Sequence, residues 1–347
     1  MYSVDKAGIN KILLSFYKQI EESESLYKSA GISLNKKRIQ NILYLGMGGS
    51  AIAGDLMKDI FFDELTVPMT IIRGYIAPHF CSKNTLVIVS SYSGNTEETL
   101  SAAKQVAGSG AQIVAISSGG KLAEMAGKNK WPLITIPQGL PPRQALGYLF
   151  FPLYHLLGEL ELFKKFSPRL RSLARFASDL AKRNVYPQAE GHVLSYGLAR
   201  VIRNKIPVIY STAPYLQTVS RRWQNQMHEN GKSMAFSNVL PEMNHNEIVG
   251  WEQDTKAMSE FVVIFLENEN PHPRIKKRIE LSKKIIKKRG VKVVEVYTAG
   301  KTVLEKAFSL IILGDWVSYY LALGYKKDPN EIKNIDYLKK EMARLED

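Results

Sequence analysis

Cysteine is nearly absent. Cys81 is the one thiol in 347 residues, which excludes an internal disulfide, and no CxxC or Cys/His cluster offers a structural zinc site. Long apolar runs are missing as well. The longest, Leu310 to Gly324, is interrupted by Asp315 and falls short of the roughly 18 apolar residues that a membrane span needs. The opening residues, MYSVDKAGINKILL, carry Asp5 and Asn10 where a secretory signal requires an unbroken apolar core. These absences lead to the expectation of a cytoplasmic protein with no membrane segment, disulfide or metal.

What is present is ordinary in bulk. With 45% hydrophobic and 23% charged residues the chain can bury proper cores, and its length suits two domains of about 150 residues each. The net charge of +14 is less evenly spread: nine Lys and Arg residues lie between Arg274 and Arg289. Ile275, Ile279, Leu281, Ile285 and Ile286 fall near helical spacing among them, so the segment reads as one amphipathic helix with a solvated basic face. No aromatic or glycine residues interleave the charges, and a nucleic-acid partner is not expected.

Along the chain, an amphipathic helix with Ile9, Leu13, Phe16, Tyr17 and Ile20 inward precedes short apolar runs at Ile42–Leu45, Thr70–Ile72, Leu86–Val89, Ile113–Ile116 and Leu133–Ile136. Unalternated runs of this length fit parallel strands buried on both faces. Helices are expected between them at Ala51–Phe62, Glu97–Ala107 and Arg143–Leu160. Two basic helices without strands follow around Glu161–Glu190. A second strand–helix series then places strands at Pro207–Tyr210, Phe261–Leu266 and Val291–Tyr297. The expected fold class is therefore α/β: two doubly wound domains with parallel sheets flanked by helices, divided as residues 1–160 and 161–347.

Ligands on such sheets sit beyond the carboxyl ends of the strands. Two loops there are unusual. GMGGSA, Gly46 to Ala51, joins a strand to a helix, so glycine backbone amides and a helix N-terminus can meet an anion. Read literally, Gly46, Gly48 and Ala51 also fit the dinucleotide pattern GxGxxG/A, but Arg73 stands at the end of the next strand, where a ribose-binding acid belongs. The second loop, SSYSGNTEET, puts Ser90, Ser91, Ser93 and Thr96 at another helix N-terminus. One hydroxyl suffices for a cap. Four within seven residues, together with Ser50, describe a pocket for a terminal phosphate monoester, with Gly48, Gly49, Ser50, Ser91, Ser93 and Thr96 as its candidate ligands.

This pair of loops resembles the sugar isomerase (SIS) domain superfamily, whose members bind phosphosugars. PPRQAL (Pro141–Leu146), RWQNQMHENGK (Arg222–Lys232), MNHNEIVGW (Met243–Trp251) and IDYLKKEM (Ile335–Met342) extend the resemblance, in matching order, to the bifunctional phosphoglucose/phosphomannose isomerases. It implies two SIS-type domains and metal- and cofactor-independent interconversion of glucose 6-phosphate, and of the mannose epimer, with fructose 6-phosphate through a cis-enediolate. The resemblance assigns the C1–C2 proton shuttle to Glu229, ring opening to His245 from the neighbouring subunit of a homodimer, enediolate stabilisation to Arg143, and a place near the ring oxygen to Lys339, with Lys340 beside it. Relatives often carry Thr-Pro before the last helix, in a region linked to the mannose epimer. Here the chain reads Asp328-Pro329-Asn330. The alternative is a non-catalytic phosphosugar sensor, which would keep the hydroxyl loops and need no Glu229–His245–Arg143 set.

Overall fold

In this computed structural model the described residues are 2–342 and 344, apart from 168, 186–192 and 254. The chain starts with two short-linked helices, α1 (Ile9–Leu14) and α2 (Phe16–Ser29). The first sheet is then laid down as β1 (Asn41–Leu45), α3 (Gly48–Ile60), β2 (Met69–Ile72), β3 (Thr85–Ser90), α4 (Glu97–Val106), β4 (Gln112–Ser117), α5 (Gly120–Asn129) and β5 (Leu133–Thr135). Helices α6 (Leu146–Glu159), α7 (Arg171–Arg183) and α8 (Leu194–Ile202) lead to the second sheet. That sheet comprises β6 (Ile206–Thr212), α9 (Gln217–Glu229), β7 (Phe236–Leu240), β8 (Phe261–Glu267), α10 (Pro273–Lys287) and β9 (Lys292–Tyr297), followed by α11 (Val303–Gly324) and α12 (Lys333–Met342).

Both sheets are wholly parallel, in the orders β2-β1-β3-β4-β5 and β7-β6-β8-β9. The second repeats the winding of the first with one strand fewer. In each, the chain steps to one side of the opening strand and then crosses to the other, leaving a switch point beside β1 and beside β6. The central strands β1 and β3 pair in register from Asn41 against Thr85 to Leu45 against Val89 and are buried almost throughout. This is why their sequences are unalternated Val, Ile and Leu.

The opening helix is parted at Ser15 into α1 and α2, the helix expected from Arg143 begins only at Leu146, and three further regions differ from the sequence expectation. Strand β7, FSNVL, is not among the expected strands: it is a half-exposed edge strand whose Ser and Asn dilute the apolar signal. Helix α5 is likewise unexpected, because only Leu122 and Ala126 of its ten residues are buried. In the expected inter-domain stretch, α7 is the helix found within 161–185. The remainder of that stretch, 186–190, lies outside the described residues.

The apolar stretch interrupted by Asp315 belongs to α11, 22 residues long and apolar enough by composition to cross a membrane. It is instead the central core helix, with 94% of its most apolar window buried inside the protein. One continuous apolar core carries Phe308 and Trp316 of α11, Phe150 and Leu153 of α6, Trp223 of α9, and residues of β1 and β8 alike. The basic segment forms α10 as expected, with Ile279 and Ile286 inward.

Candidate active site

The two glycine- and hydroxyl-bearing loops meet at the switch point between β1 and β3. Helix α3 begins at Gly48 with Met47 at its N-cap and no side-chain cap; the Ser50 N–H turns back to the Met47 carbonyl at 3.0 Å, and the Gly48 and Gly49 amides ahead of it are the candidate donors. The Ser50 hydroxyl accepts a hydrogen bond from the Tyr92 backbone N–H at 3.1 Å, tying the two loops together. Thr96 stands at the N-cap of α4, yet its hydroxyl does not cap the helix; it pairs with that of Ser91 at 2.9 Å. Ser91 is buried, Thr96 half-buried and Ser93 exposed. Gly94 closes the turn with φ +71°, and any side chain there would collide with the Gly119 carbonyl.

The first loop touches the next part of the site directly. A Cβ on Gly49 would stand 3.0 Å from the Pro142 carbonyl oxygen, so the backbones of GMGGSA and PPRQAL are in close packing. Pro142–Gln144 is a 3-10 turn following β5, with Arg143 in its middle and only 3% exposed. Three of the five Arg143 N–H donors are engaged: Nε donates to Asn230 Oδ1 at 2.6 Å, and Nη2 donates to the carbonyls of Pro329 at 3.0 Å and Asn330 at 3.2 Å. Its Nη1 lies 3.7 Å from Glu229 Oε2. Burial pulls the Arg143 guanidinium below the usual arginine range, while the Glu229 charge works against that shift.

Glu229 is the last residue of α9, and Asn230 is its C-cap, as the Asn-Gly after it suggests. Because α9 is the crossover from β6 to β7, it runs back toward the amino edge of its own sheet. The second half of the chain therefore contributes a helix end aimed at the first half's loops, and not the carboxyl edge of its own strands. The Glu229 side chain keeps 31% of its surface exposed, while Arg143 beside it is almost wholly buried. The arrangement is one accessible carboxylate beside a fixed cation, next to two loops rich in anion-binding donors. Such a cleft can move a proton and stabilise a developing oxyanion on a phosphorylated substrate.

Behind the pair lies a buried ionic support. Arg222 of α9 donates to the Arg143 main-chain carbonyl at 3.1 Å and to Asp315 of α11 at 2.8 Å, and Gln226 donates to the other Asp315 oxygen at 2.8 Å. Asn230 passes the Arg143 bond onward to Ser318 of the same helix at 3.1 Å. Sequence reasoning meets Asp315 as an interruption of an apolar run and gives it no role. Arg222, Asn230 and Lys232 lie inside the motif RWQNQMHENGK without an assigned role. A charged residue within an apolar helix is the one signal available, since buried charges need partners.

The remaining candidates are not gathered into this cluster. His245 ends a 3-10 turn, Glu242–His245, and is exposed. Lys339 lies on α12, none of whose residues is buried. Among the described residues no hydrogen bond or ion pair joins either to Arg143 or Glu229. His228, the nearest rival histidine, is held by local structure, its Nε2 lying 3.0 and 3.2 Å from the Ala235 carbonyl and amide. Glu247 is occupied by Tyr210 and Asn238, and Arg73 is paired with Asp55. Among the described residues no group of three His, Cys, Asp or Glu side chains could hold a metal ion.

Comparison with known proteins bears on the same regions. Residues 194–342 match the family described as bacterial phospho-glucose isomerase C-terminal SIS domain, and residues 33–130 match the SIS domain. A bifunctional phosphoglucose/phosphomannose isomerase of Caldicellulosiruptor bescii is 39% identical over 95% of this chain and 97% of its own length. One bearing the same name in Aquifex aeolicus is 33% identical over 97% and 98%. A crystal structure of a hypothetical protein from Thermus thermophilus has the same fold, with a TM-score of 0.74 at 17% identity over 96% of this chain and 90% of that one.

Proposed function

This chain belongs to the bifunctional phosphoglucose/phosphomannose isomerase family, and from that premise we propose that it interconverts glucose 6-phosphate and mannose 6-phosphate with fructose 6-phosphate. It is an isomerase, not a passive phosphosugar sensor. The observation that carries the residue-level reading is Arg143, wedged between Gly49 of the first anion loop and the Glu229 carboxylate.

In the proposed reaction the 6-phosphate sits against Gly48, Gly49, Ser50, Ser91, Ser93 and Thr96, held by amides and hydroxyls that add no charge of their own. In the open-chain aldose, the Glu229 carboxylate takes the proton from C2. The C2–H bonding electrons form the C1–C2 double bond, and the C1 carbonyl oxygen becomes the enediolate oxyanion. Arg143 faces that charge with a guanidinium whose other N–H groups are already fixed, so it does not reorganise as charge develops. Glu229 then returns its proton to C1 while the C2 hydroxyl proton passes to O1, leaving the C2 ketone. Atoms and electrons balance within the substrate and one carboxyl group.

Ring opening precedes this step and needs an acid and a base at the ring oxygen and O1. We assign these roles to His245 of a second copy and to Lys339. Both are exposed in the single chain, and the apolar Tyr337 and Leu338 next to Lys339 on α12 are exposed as well, which supports a homodimer that covers this helix. A cytoplasmic location fits the substrates. The reading is tested by a coupled assay of fructose 6-phosphate consumption with and without EDTA. Turnover unaffected by the chelator is expected, and absence of turnover would overturn the reading.

A further inference from the structure

Lys232 follows Glu229 by three residues and is not accounted for by the proton-transfer scheme. It is half-buried and adopts a left-handed backbone conformation, φ +54°, which is uncommon outside glycine. Its ammonium meets three main-chain carbonyls: that of Glu229, that of Pro329 at 3.2 Å and that of Glu331 at 2.6 Å. A lysine bonding the last carbonyls of its own helix is a common C-terminal feature, and the Glu229 contact is of that kind. Pro329 and Glu331 are not. They lie about a hundred residues on, and the Pro329 carbonyl also accepts from Arg143.

Resting on the isomerase reading above, we propose that Lys232 is a positioning residue for proton transfer: by tying the end of α9 to segment 328–331, it fixes the Glu229 carboxylate relative to the Arg143 guanidinium. Arg143 grips the same segment at Pro329 and Asn330. The segment is braced internally by the Asn330 N–H, which donates to Asp328 Oδ1 at 2.8 Å. Glu229, Arg143 and the 328–331 turn therefore form a triangle, and Lys232 holds the side that Arg143 does not. The clamp also sets where α12 starts, two residues beyond Glu331.

An ammonium has three donors, and all three are used here. A neutral amine keeps two, so deprotonation would release one carbonyl. Burial lowers the Lys232 pKa to about 8, reinforced by the Arg143 charge, while Asp328, Glu331 and Glu229 oppose the shift. The clamp thus loosens as pH rises through that value.

The test uses the full chain with Lys232→Met and Lys232→Arg. Methionine keeps the stem and removes every donor. It should lower kcat by roughly 10- to 100-fold, the scale of a small misplacement of reacting groups, with KM within about threefold because the phosphate loops are untouched. Hydrogen exchange of peptides spanning 328–333 should quicken in the same variant. Arginine keeps donors and does not titrate, so it should restore most of kcat and move the alkaline limb of the kcat profile above its wild-type position. Lys232→Met with wild-type kcat and unchanged exchange would overturn the proposal, as would an alkaline limb unmoved in Lys232→Arg. If wild type has no isomerase activity, the isomerase reading fails by itself, and the exchange measurement still decides whether Lys232 clamps the segment.

Discussion

The Arg222 guanidinium lies 2.8 Å from the Asp315 carboxylate, with both side chains almost completely buried, and it also donates to the main-chain carbonyl of Arg143. A buried charge pair between α9 and α11 thus braces the backbone that carries Arg143, the proposed partner of the reacting oxyanion. Removing one partner of a buried pair leaves the other uncompensated, at a cost of about 3–5 kcal/mol. Arg222→Met should destabilise by that amount in urea titrations, and Arg222→Met with Asp315→Leu should recover much of it. If the single variant is as stable as wild type, the pair contributes nothing to the fold.

For Glu229, glutamine keeps the shape and cannot accept a proton. Glu229→Gln should lose at least about 10²-fold in kcat while retaining affinity for a substrate analogue. Wild type should exchange solvent deuterium into C2 of glucose 6-phosphate, and the variant should not. Near-normal turnover in Glu229→Gln would move the base to another carboxylate.

The proposed phosphate-binding role of the two loops is tested by Ser93→Ala combined with Thr96→Val. Each hydrogen bond lost to a charged group is worth roughly 1.5–3 kcal/mol, so KM should rise by about tenfold or more with kcat little changed. Inhibition by inorganic phosphate should weaken in parallel. If neither moves, the phosphate sits elsewhere.

The proposed sharing of His245 between subunits has a direct consequence for mixtures. Inactive Glu229→Gln and inactive His245→Ala proteins should regain part of the activity once their subunits exchange, since hybrid dimers contain one intact site. Verified exchange without recovery would mean that each chain builds its own site.

His155 gives stability a pH dependence unrelated to catalysis. Its ring is buried among Tyr27, Tyr154 and Phe166, bonds to the Ser23 hydroxyl at 3.2 Å, and burial lowers its pKa to about 4. The unfolded chain binds the proton near pH ~6.5, so between those values the unfolded state holds more protons and stability falls as pH falls. The loss should be on the order of 2–3 kcal/mol between about pH 7 and pH 4. Urea titrations across this range should show a shallower slope in His155→Phe, and an equal slope would assign the effect to other groups.

Much of the fold is legible before any coordinates, because parallel strands buried on both faces write themselves as plain apolar runs: β1, β3, β4 and β8 fall within a residue or two of the runs that name them. What escapes carries a weak apolar signature, as in edge strand β7 and helix α5. The site divides on a different line. Arg143 and Glu229 lie far apart in the chain and pair only through motif resemblance, whereas the structure gives the distance between them. Lys232 stays silent because what it binds is main-chain carbonyl, which no side-chain pattern encodes, and Arg222 because its carboxylate partner, Asp315, lies on a helix 93 residues away.

The shared core has a consequence for how such chains can diverge. Since α11, α6 and α9 pack into one apolar mass with strands of both sheets, neither half presents a finished surface to the other. Recombination that exchanged one half for that of a distant relative would have to import matching helix faces as well. The two similar windings are bound to change together, as a single inherited unit.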